Sequence, residues 1–320
     1  MLSTAIDSVF AQTFGDWELW IVDDGSADDT ATIVQRQIER DSRVRYLRRE
    51  HGGISAAMNA GIRAGKSEYV ARLDSDDKWL PDLLKTEVAL LDAHPEFGFV
   101  YSKAQPADPN LVPRGGPTFG YPPHFPSDPL RSLVWDDCTC NITVVARRAC
   151  FDRAGYFDES LLVSEDWDMW LRVAALYPFG YVDQVLAHVR SHDGSTTSAK
   201  SDHFDEFLGG RRKVLDKFFA LPSLPAEIHA MKRVAYRNLY ISVGILALSA
   251  GDRRRARRFF GEAIRASGGP AAAFGRIAFF ILANKVLNRT AAGRSLLRWQ
   301  SEFRSRLRLT RASRDGLGAQ

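Results

Sequence analysis

Strand-like and helix-like segments alternate along the first hundred residues of the chain. Residues 17–24 form an apolar run that ends in two aspartates, and residues 28–39 then place apolar side chains at helical spacing. The same alternation continues with strand-like residues 44–47, 69–73 and 97–102 and helix-like residues 52–65 and 81–94. At intervals of about 20–30 residues, this pattern predicts an α/β fold with a mostly parallel sheet flanked by helices. Ligands of such sheets bind beyond the carboxyl ends of the strands.

The middle of the chain contains a long irregular segment followed by further elements. Residues 104–133 are rich in proline and glycine, which is typical of a loop. Residues 164–178 show the pattern of an amphipathic helix, and residues 181–192 that of an edge-like strand. From about residue 202 the pattern is helical and includes two antiparallel helices joined at Gly251-Asp252.

Charge is distributed unevenly along the chain. Residues 251–320 contain 16 Arg and Lys against 4 Asp and Glu, a net charge of +12. Because the whole chain carries +4, the other residues carry 4 − 12 = −8. Together with the helical pattern, this asymmetry predicts a domain over residues 1–200 and a helical, basic region over residues 201–320.

The composition is that of a globular protein of the cytoplasm. Three cysteines are too few for a disulfide framework, and Cys138 and Cys140 are expected to be reduced thiols rather than a metal pair. No window of about 18 uncharged apolar residues predicts a membrane span. The first residues lack the basic start and apolar core of a signal peptide, so we expect a cytoplasmic location.

Three aspartates, Asp74, Asp76 and Asp77, follow the strand predicted at residues 69–73. Grouped carboxylates repel each other by on the order of several kcal/mol at short range unless a cation neutralises them. Mg²⁺ and Mn²⁺ prefer oxygen ligands and commonly bind one or two carboxylates together with substrate phosphates. The spacing of Asp74 and Asp76 therefore indicates a metal site that would stabilise a diphosphate leaving group. A solvated turn with helix-capping aspartates is the alternative.

A second pair of carboxylates, Asp23 and Asp24, ends the first predicted strand. A carboxylate there can accept a hydrogen bond from the imide N–H of uracil or thymine, although Asp-Asp-Gly-Ser also favours an Asx turn. Gly52, Gly53 and Ser55 precede a helix whose first N–H groups favour an anion, although paired glycines also occur in ordinary loops. The two segments are compatible with a nucleotide site.

Glu165 and Asp166 lie at the start of the amphipathic helix. A carboxylate near a helix N-terminus stays ionised and can take a proton from a hydroxyl nucleophile. Acidic capping without catalysis is the alternative. We expect Trp167 and Trp170, three positions apart, to be core contacts rather than a sugar platform.

Four segments, taken in order, resemble the family-2 inverting glycosyltransferases with the GT-A fold. They are DDGS at 23–26, GGISAAMNAGI at 52–62, YVARLDSDDKWLPDLL at 69–84 and SEDWDMWLRVAALYPFGYV at 164–182. The resemblance covers about residues 1–198 and implies a GT-A α/β fold with a helical C-terminal extension. It also implies an enzyme that moves a sugar from a UDP- or dTDP-type donor to an acceptor hydroxyl with inversion, in polysaccharide or glycan synthesis.

The resemblance assigns residues to the donor. Asp24, together with Asp23, is expected to contact the nucleotide base. Gly53, Ser55 and Asn59 are expected to line the nucleotide side of the pocket, and Asp74 to face the nucleotide sugar.

The resemblance also implies a metal site and a general base. Asp74 and Asp76 correspond to the Asp-x-Asp element, with Asp76 the more direct ligand of Mn²⁺ or Mg²⁺. His192 lies where relatives often carry a histidine that contacts the diphosphate or the metal. Asp166, beside Glu165, is the expected base that deprotonates the acceptor as it attacks in line. Inversion in one displacement needs only one such carboxylate opposite the leaving group.

The chain departs from the family at its N-terminus. Relatives begin with a strand and a turn ahead of the first helix, whereas residues 2–14 already match that helix. Without that strand, the sheet is expected to contain a slot with unpaired backbone groups. The alternative function is therefore a non-catalytic module that binds a sugar nucleotide or a partner. A phosphotransferase and a dinucleotide dehydrogenase are disfavoured, because their further motifs are not found.

The basic region predicts contact with a membrane surface. Phe259, Phe260, Phe274 and Trp299 lie among its arginines, and each Lys or Arg near an anionic surface contributes about 1 kcal/mol. We expect peripheral association with the inner face of the membrane and a glycan or lipid-linked acceptor. A solvated basic helix face is the alternative. No nucleic-acid partner is expected, because no reader motif is visible.

Overall fold

The computed structural model describes residues 1–116, 118–192 and 204–267. The chain divides into two compact units, residues 1–238 and 239–320. The first unit contains both acidic segments and the Glu-Asp pair.

A two-stranded parallel sheet begins the first unit. Its elements are α1 (Leu2–Phe10), β1 (Leu19–Asp23), α2 (Thr30–Arg40), β2 (Val44–Arg48) and α3 (Ile54–Ala64). In the β1–β2 pair, Leu19 lies opposite Val44 and Asp23 opposite Arg48. Asp23 and Asp24 therefore lie at the carboxyl end of β1, where parallel α/β folds bind ligands.

A five-stranded sheet follows. Its elements are β3 (Tyr69–Ala71), β4 (Lys78–Trp79), α4 (Leu83–Ala93), β5 (Phe99–Ala107), α5 (Pro129–Trp135), β6 (Val145–Arg147), α6 (Arg148–Ala154), α7 (Glu165–Ala174) and β7 (Phe179–Arg190). The strand order is β3-β6-β5-β7-β4, with β5 parallel to β7 and the other pairs antiparallel. The α/β class is confirmed, but the pairing is more mixed than predicted, because β6 runs against both of its neighbours.

No hydrogen-bonded strand pairing joins the two sheets among the described residues. β1 ends the first sheet and β3 ends the second. The side chains of both strands are mostly half-buried, although their sequences are largely apolar. The described strands thus form two separate sheets.

The core packs on both faces of the larger sheet. On one face, α4 contributes Leu83 and Leu91, both fully buried. Phe99 stacks on Phe179 with ring centres 4.7 Å apart and lies 5.0 Å from Trp170. Trp167 and Trp170 are both buried, which confirms them as core contacts. The three cysteines are free and buried.

The proline-rich segment lies along β5. Phe119 and Ala104 exchange two backbone hydrogen bonds of 2.9 Å, and Gly120 follows with a φ of +69°. A Cβ at Gly120 would lie 2.4 Å from the carbonyl oxygen of Ser102, so only glycine fits there. The predicted loop over 104–133 was wrong at both ends, where β5 continues and α5 begins.

The last strand of the sheet is not an edge strand along its whole length. β7 lies between β5 and β4, and β4 pairs with it at Ala187 and His188. The prediction of an edge-like strand was therefore wrong at this end of β7. Two residues of β4 are too few to show a strand period in the sequence.

Helices follow the sheet. They are α8 (Phe204–Phe218), α9 (Ala226–His229), α10 (Lys232–Ser249) and α11 (Arg253–Ser267). α8 packs on α7, and the predicted domain boundary at residues 200 and 201 stays a prediction.

The described part of the second unit is a helical hairpin. Gly251, with a φ of +82°, ends the first helix, and Asp252 accepts the N–H of Arg255 at 2.9 Å at the start of α11. A Cβ at Gly244 would lie 2.6 Å from the Phe260 ring, so the two helices pack closely. The predicted pair of helices joined at Gly251-Asp252 is confirmed.

The described helices do not include one long and apolar enough to cross a membrane. Phe274, Trp299 and the other basic-region residues after 267 lie outside the described residues.

Candidate active site

The turn after β3 brings three carboxylates together. The N–H of Asp77 donates to the carbonyl of Asp74 at 3.1 Å, which closes the turn. Carboxylate oxygens of Asp74, Asp76 and Asp77 all lie within 4.8 Å of one another. The side chains of Asp74 and Asp76 are 34% and 29% exposed, so both are partly buried.

Positive or N–H groups of the protein partly neutralise this cluster. The Nε of Arg72 donates to Asp74 at 2.7 Å, and the Nε2 of His192 lies 2.9 Å from an Asp76 oxygen. β7 ends beside the turn, and its Arg190 N–H donates to Asp77 at 2.8 Å. Burial, together with the charges of Asp76 and Asp74, raises the pKa of Asp77 to about 7.

The cluster suits a hard divalent cation. Its donors are all carboxylate oxygens at mutual distances that one ion can span, and Mg²⁺ or Mn²⁺ prefers such ligands. His192 lies against Asp76, and its role toward a metal or diphosphate stays a prediction. Asp77 was not predicted as a ligand, and its adjacent position in the sequence was the available signal.

The Glu-Asp pair begins α7. Ser164 precedes it in the left-handed conformation, and Asp166 accepts the N–H of Trp167 at 2.7 Å. Glu165 is 8% exposed. Burial and the negative charge of Asp166 raise the pKa of Glu165 to about 7.

Arg72 connects the acid cluster to this pair. Its Nε contacts Asp74 at 2.7 Å, and its Nη1 lies 3.8 Å from Glu165. The charges of Asp74, Glu165 and Asp166 together raise the pKa of Arg72 against the effect of its burial. Sequence reasoning missed Arg72, although it stands two positions before Asp74.

Salt bridges fix the helix that carries the pair. Asp168 is buried and contacts Arg172 Nε at 2.9 Å and Lys217 Nζ of α8 at 2.8 Å. Arg172 also donates to the carbonyls of Gly155 and Tyr156. These bonds hold the start of α7 in one position.

The carboxylates after β1 have different partners. Asp23 is buried and accepts the N–H of Ser26 and the hydroxyl of Tyr46. Asp24 accepts the N–H groups of Gly52 at 3.0 Å and Gly53 at 2.7 Å. In this structure the N–H groups before α3 bind the carboxylate of Asp24. The sequence had predicted that they would bind an anionic group of the nucleotide.

Two other residues that were predicted to line the nucleotide side of the pocket, Asn59 and Ser55, are buried. Asn59 donates to the carbonyl of Phe157 and to Glu159, and accepts the Phe157 N–H. Its amide therefore holds the turn before α7, while its predicted binding role remains a prediction. Ser55 is 3% exposed, and its hydroxyl has no partner among the described residues.

A shallow depression lies beside Asp24. It is lined by Gly25, Arg48, Arg49, Glu50 and His51. Its positive side chains stand at the carboxyl end of β2, and sequence reasoning did not single them out.

Comparisons with known proteins agree with this geometry. The model of glycosyl transferase family 2 matches residues 1–150. An uncharacterized glycosyltransferase of Rickettsia typhi is 30% identical over 230 residues, which cover 63% of this chain and 64% of that protein. A chondroitin synthase of Escherichia coli is 27% identical over 199 residues, which cover 62% of this chain and 28% of that protein. The chain thus spans less than two thirds of the length of these relatives.

Solved structures share the fold. S. aureus TarS 1-349 in complex with UDP-GlcNAc has a TM-score of 0.60 at 19% identity, covering 83% of this chain and 77% of that one. Mannosyltransferase PcManGT from Pyrobaculum calidifontis, in complex with GDP-Man and Mn²⁺, has a TM-score of 0.59 at 18% identity, covering 92% and 80%. The expected GT-A fold is confirmed. Residues 1–150 of the chain thus match a glycosyl transferase family 2 domain.

Proposed function

We propose that this chain transfers a sugar from a nucleoside-diphosphate sugar to an acceptor hydroxyl, with inversion at the anomeric carbon. One observation carries the proposal: Arg72 contacts Asp74 of the acid cluster at 2.7 Å and lies 3.8 Å from Glu165, next to Asp166. A leaving-group site and a base thus stand within the reach of a single guanidinium.

The donor would lie between the β1 end and the acid cluster. Asp23 and Asp24 remain our candidates for the base contact, and the positive depression with Arg48 and His51 suits a nucleotide. To bind the nucleotide base, Asp24 would have to give up its hydrogen bond from the Gly53 N–H and accept one from the nucleotide base instead. The relatives with UDP-GlcNAc and GDP-Man support a nucleoside-diphosphate sugar, and we propose the UDP or dTDP type.

The transfer needs one bond made and one broken. Asp166 takes the proton of the acceptor hydroxyl, whose oxygen then forms a bond to the anomeric carbon while the bond to the diphosphate breaks. Mg²⁺ or Mn²⁺, held by Asp74 and Asp76 when bound, supplies positive charge to the departing diphosphate. His192 holds Asp76 at 2.9 Å and so fixes the side chain on which that charge depends.

Nucleotide release tests this function. The protein is incubated with UDP-, dTDP- and GDP-sugars in the presence of Mn²⁺ or Mg²⁺, and free nucleoside diphosphate is measured. We expect release that a chelator abolishes and that Asp76→Asn and Asp166→Asn lower by at least about 100-fold. Asp152→Asn, on the exposed side of α6, is the matched control. Metal-independent release, or release unchanged in Asp166→Asn, contradicts the proposal.

The alternative is binding of a sugar nucleotide without turnover. The interrupted sheet favours it, because β1 and β3 each leave one edge without a strand partner among the described residues. It predicts nucleotide binding by calorimetry, no release with any donor, and the same affinity in Asp166→Asn.

For the acceptor, we propose a glycan or lipid-linked glycan at a membrane surface. The relatives named chondroitin synthases support a polysaccharide. α11 presents exposed arginines at helical spacing, Arg253, Arg254, Arg257 and Arg258, opposite buried Phe259. Flotation with lipid vesicles tests whether the protein binds an anionic membrane surface. The protein should float with anionic vesicles and should stay in solution with neutral vesicles. A protein that stays soluble with both refutes membrane association.

A further inference from the structure

Residues 155–164 form an entry loop that leads from α6 into the start of α7. The entry loop ends at Ser164, whose φ of +61° is uncommon for a residue with a side chain. Glu165 and Asp166 follow directly, and Asp166 accepts the N–H of Trp167 at 2.7 Å. The position of the expected base therefore depends on how the entry loop is held.

The helix α8 holds the entry loop through two lysines. The Nζ of Lys213 donates to the hydroxyl of Ser160 at 2.8 Å and to its carbonyl at 3.3 Å. The Nζ of Lys217 lies 2.6 Å from Asp158 of the loop and 2.8 Å from Asp168 in the first turn of α7. Lys217 therefore fixes the entry loop and the helix after it to one point of α8.

Gly210 of α8 lies directly against the entry loop. A Cβ at this position would lie 2.4 Å from Cγ2 of Val163 and 3.0 Å from the Val163 carbonyl oxygen. Glycine inside a helix costs about 1 kcal/mol relative to alanine, and the contact with Val163 gives it a packing reason here. At Gly209, the preceding residue of α8, a Cβ would have nothing within 4 Å. Of these two glycines, only Gly210 therefore contacts the residue before Ser164.

Asn59 of α3 holds the entry loop from a second element. Its amide donates to the carbonyl of Phe157 at 3.0 Å and to Glu159 at 2.8 Å, and it accepts the Phe157 N–H at 2.9 Å. Phe157 and Leu161 are 5% and 3% exposed, so the loop is also packed into the core. Two helices thus fix the approach to α7, and one of them, α8, lies beyond the residues that match the family model.

We propose that α8 positions the expected base: Gly210 and Lys213 hold the entry loop so that Asp166 meets the acceptor hydroxyl. The inference rests on the proposed function and adds to it a helix outside the matched family domain. Both are positioning residues, because they contact the loop, whereas the acid cluster and Asp24 lie on other elements. A displacement of about 1 Å in a reacting group can lower a rate by about 100-fold.

Steady-state kinetics of nucleoside diphosphate release, with the sugar donor that the wild type uses, tests this role. Gly210→Ala should lower kcat by at least about 10-fold, because the new Cβ would displace Val163 and with it the start of α7. The KM for the donor should stay within about twofold of the wild-type value, because the donor residues lie elsewhere. A loss of general stability alone would not separate kcat from KM in this way.

A matched control and a rescue variant isolate the contact. Gly209→Ala makes the same replacement one position earlier, where no atom is met, and should keep both kcat and KM. Val163→Ala in the Gly210→Ala background removes the methyl group that the new Cβ meets, and should raise kcat at least about threefold above that of Gly210→Ala. Thermal melting checks that each variant is folded.

A second substitution keeps the inference testable if Gly210→Ala does not fold. Lys213→Met removes the hydrogen bonds to Ser160 and adds no atom against Val163. It should lower kcat at least about threefold at unchanged donor KM. Arg212→Met, at the preceding position with a side chain that is 61% exposed, should leave kcat unchanged.

The outcomes distinguish this inference from the proposed function. If the wild type turns over donor but Gly210→Ala and Lys213→Met keep its kcat, this inference is refuted and the proposed function stands. A higher donor KM at unchanged kcat also refutes it, because the contact would then serve donor binding. If the wild type releases no nucleotide with any donor, the function and this role fall together.

Discussion

Glu87 of α4 is a carboxyl buried in the core, and its replacement gives a quantitative test of the fold. Its side chain is fully buried, and neither oxygen has a hydrogen-bond partner among the described residues. The hydroxyl of Ser102 is near but not in hydrogen-bond geometry, and it lowers the pKa of Glu87 only in part. Burial raises that pKa well above its ordinary value, so the native protein holds Glu87 protonated.

The retained proton on Glu87 determines how the free energy of unfolding changes with pH. Above the ordinary Glu pKa of about 4.3, the unfolded chain has released the proton while the native protein retains it, so stability falls as pH rises. One retained proton changes the free energy of unfolding by about 1.4 kcal/mol per pH unit until the native pKa is reached. Glu87→Gln has no proton to lose. Its advantage over the wild type should therefore grow as the pH rises from 5.5 to 7.5, by at most about 1.4 kcal/mol per pH unit.

Urea unfolding at pH 5.5, 6.5 and 7.5, followed by tryptophan fluorescence, measures the difference in the free energy of unfolding between Glu87→Gln and the wild type. Asp77, whose pKa is about 7, gives a slope of the same sign, but it is present in both proteins and cancels in the comparison. Glu39→Gln, on the exposed side of α2, should keep a constant difference from the wild type. Parallel stability curves for Glu87→Gln and the wild type would refute the reasoning.

Two further substitutions test packing and the support of α7. Gly244→Val should destabilise the hairpin of the second unit by about 1–3 kcal/mol, because its Cβ would lie 2.6 Å from the Phe260 ring; thermal melting measures this. Asp168→Asn should cost about 3–5 kcal/mol in urea unfolding, because Arg172 and Lys217 would lose their common buried carboxylate.

Matched variants control both predictions. Gly209→Val, in α8, adds a side chain where nothing lies within 4 Å and should change stability by less than about 0.5 kcal/mol. Asp216→Asn breaks an exposed ion pair with Arg212 but keeps an oxygen that can accept the hydroxyl of Tyr236, so it should also cost less than about 0.5 kcal/mol. A Gly244→Val melt equal to that of Gly209→Val would contradict the packing argument. An Asp168→Asn loss no greater than that of Asp216→Asn would contradict the electrostatic one.

The elements that the sequence predicted well are those whose pattern is local. β1, β2 and α2 follow from apolar period and length, and the turn after β3 follows from its crowded aspartates. β4 has two residues and α5 lies in a proline-rich stretch, so neither gives a period that can be recognised.

The site residues that were missed depend on distant contacts. Arg72 and Glu165 are 93 positions apart in the sequence, and only the folded chain brings them within 3.8 Å of each other. Glu87 was more accessible to prediction, because it shares one helical face with Leu84, Val88 and Leu91. A carboxyl within an apolar stripe indicates a buried acid.

The backbone pairing between Phe119 and Ala104 fixes the end of the proline-rich segment against β5. The backbone at Gly120 lies against the Ser102 carbonyl and tolerates no side chain, whereas Val112 and Arg114 are exposed. Libraries that randomise the exposed residues of 110–116 but leave Gly120 untouched should therefore yield folded proteins. Gly120 holds the end of the loop against β5, so the loop sequence before it can change without disturbing the sheet.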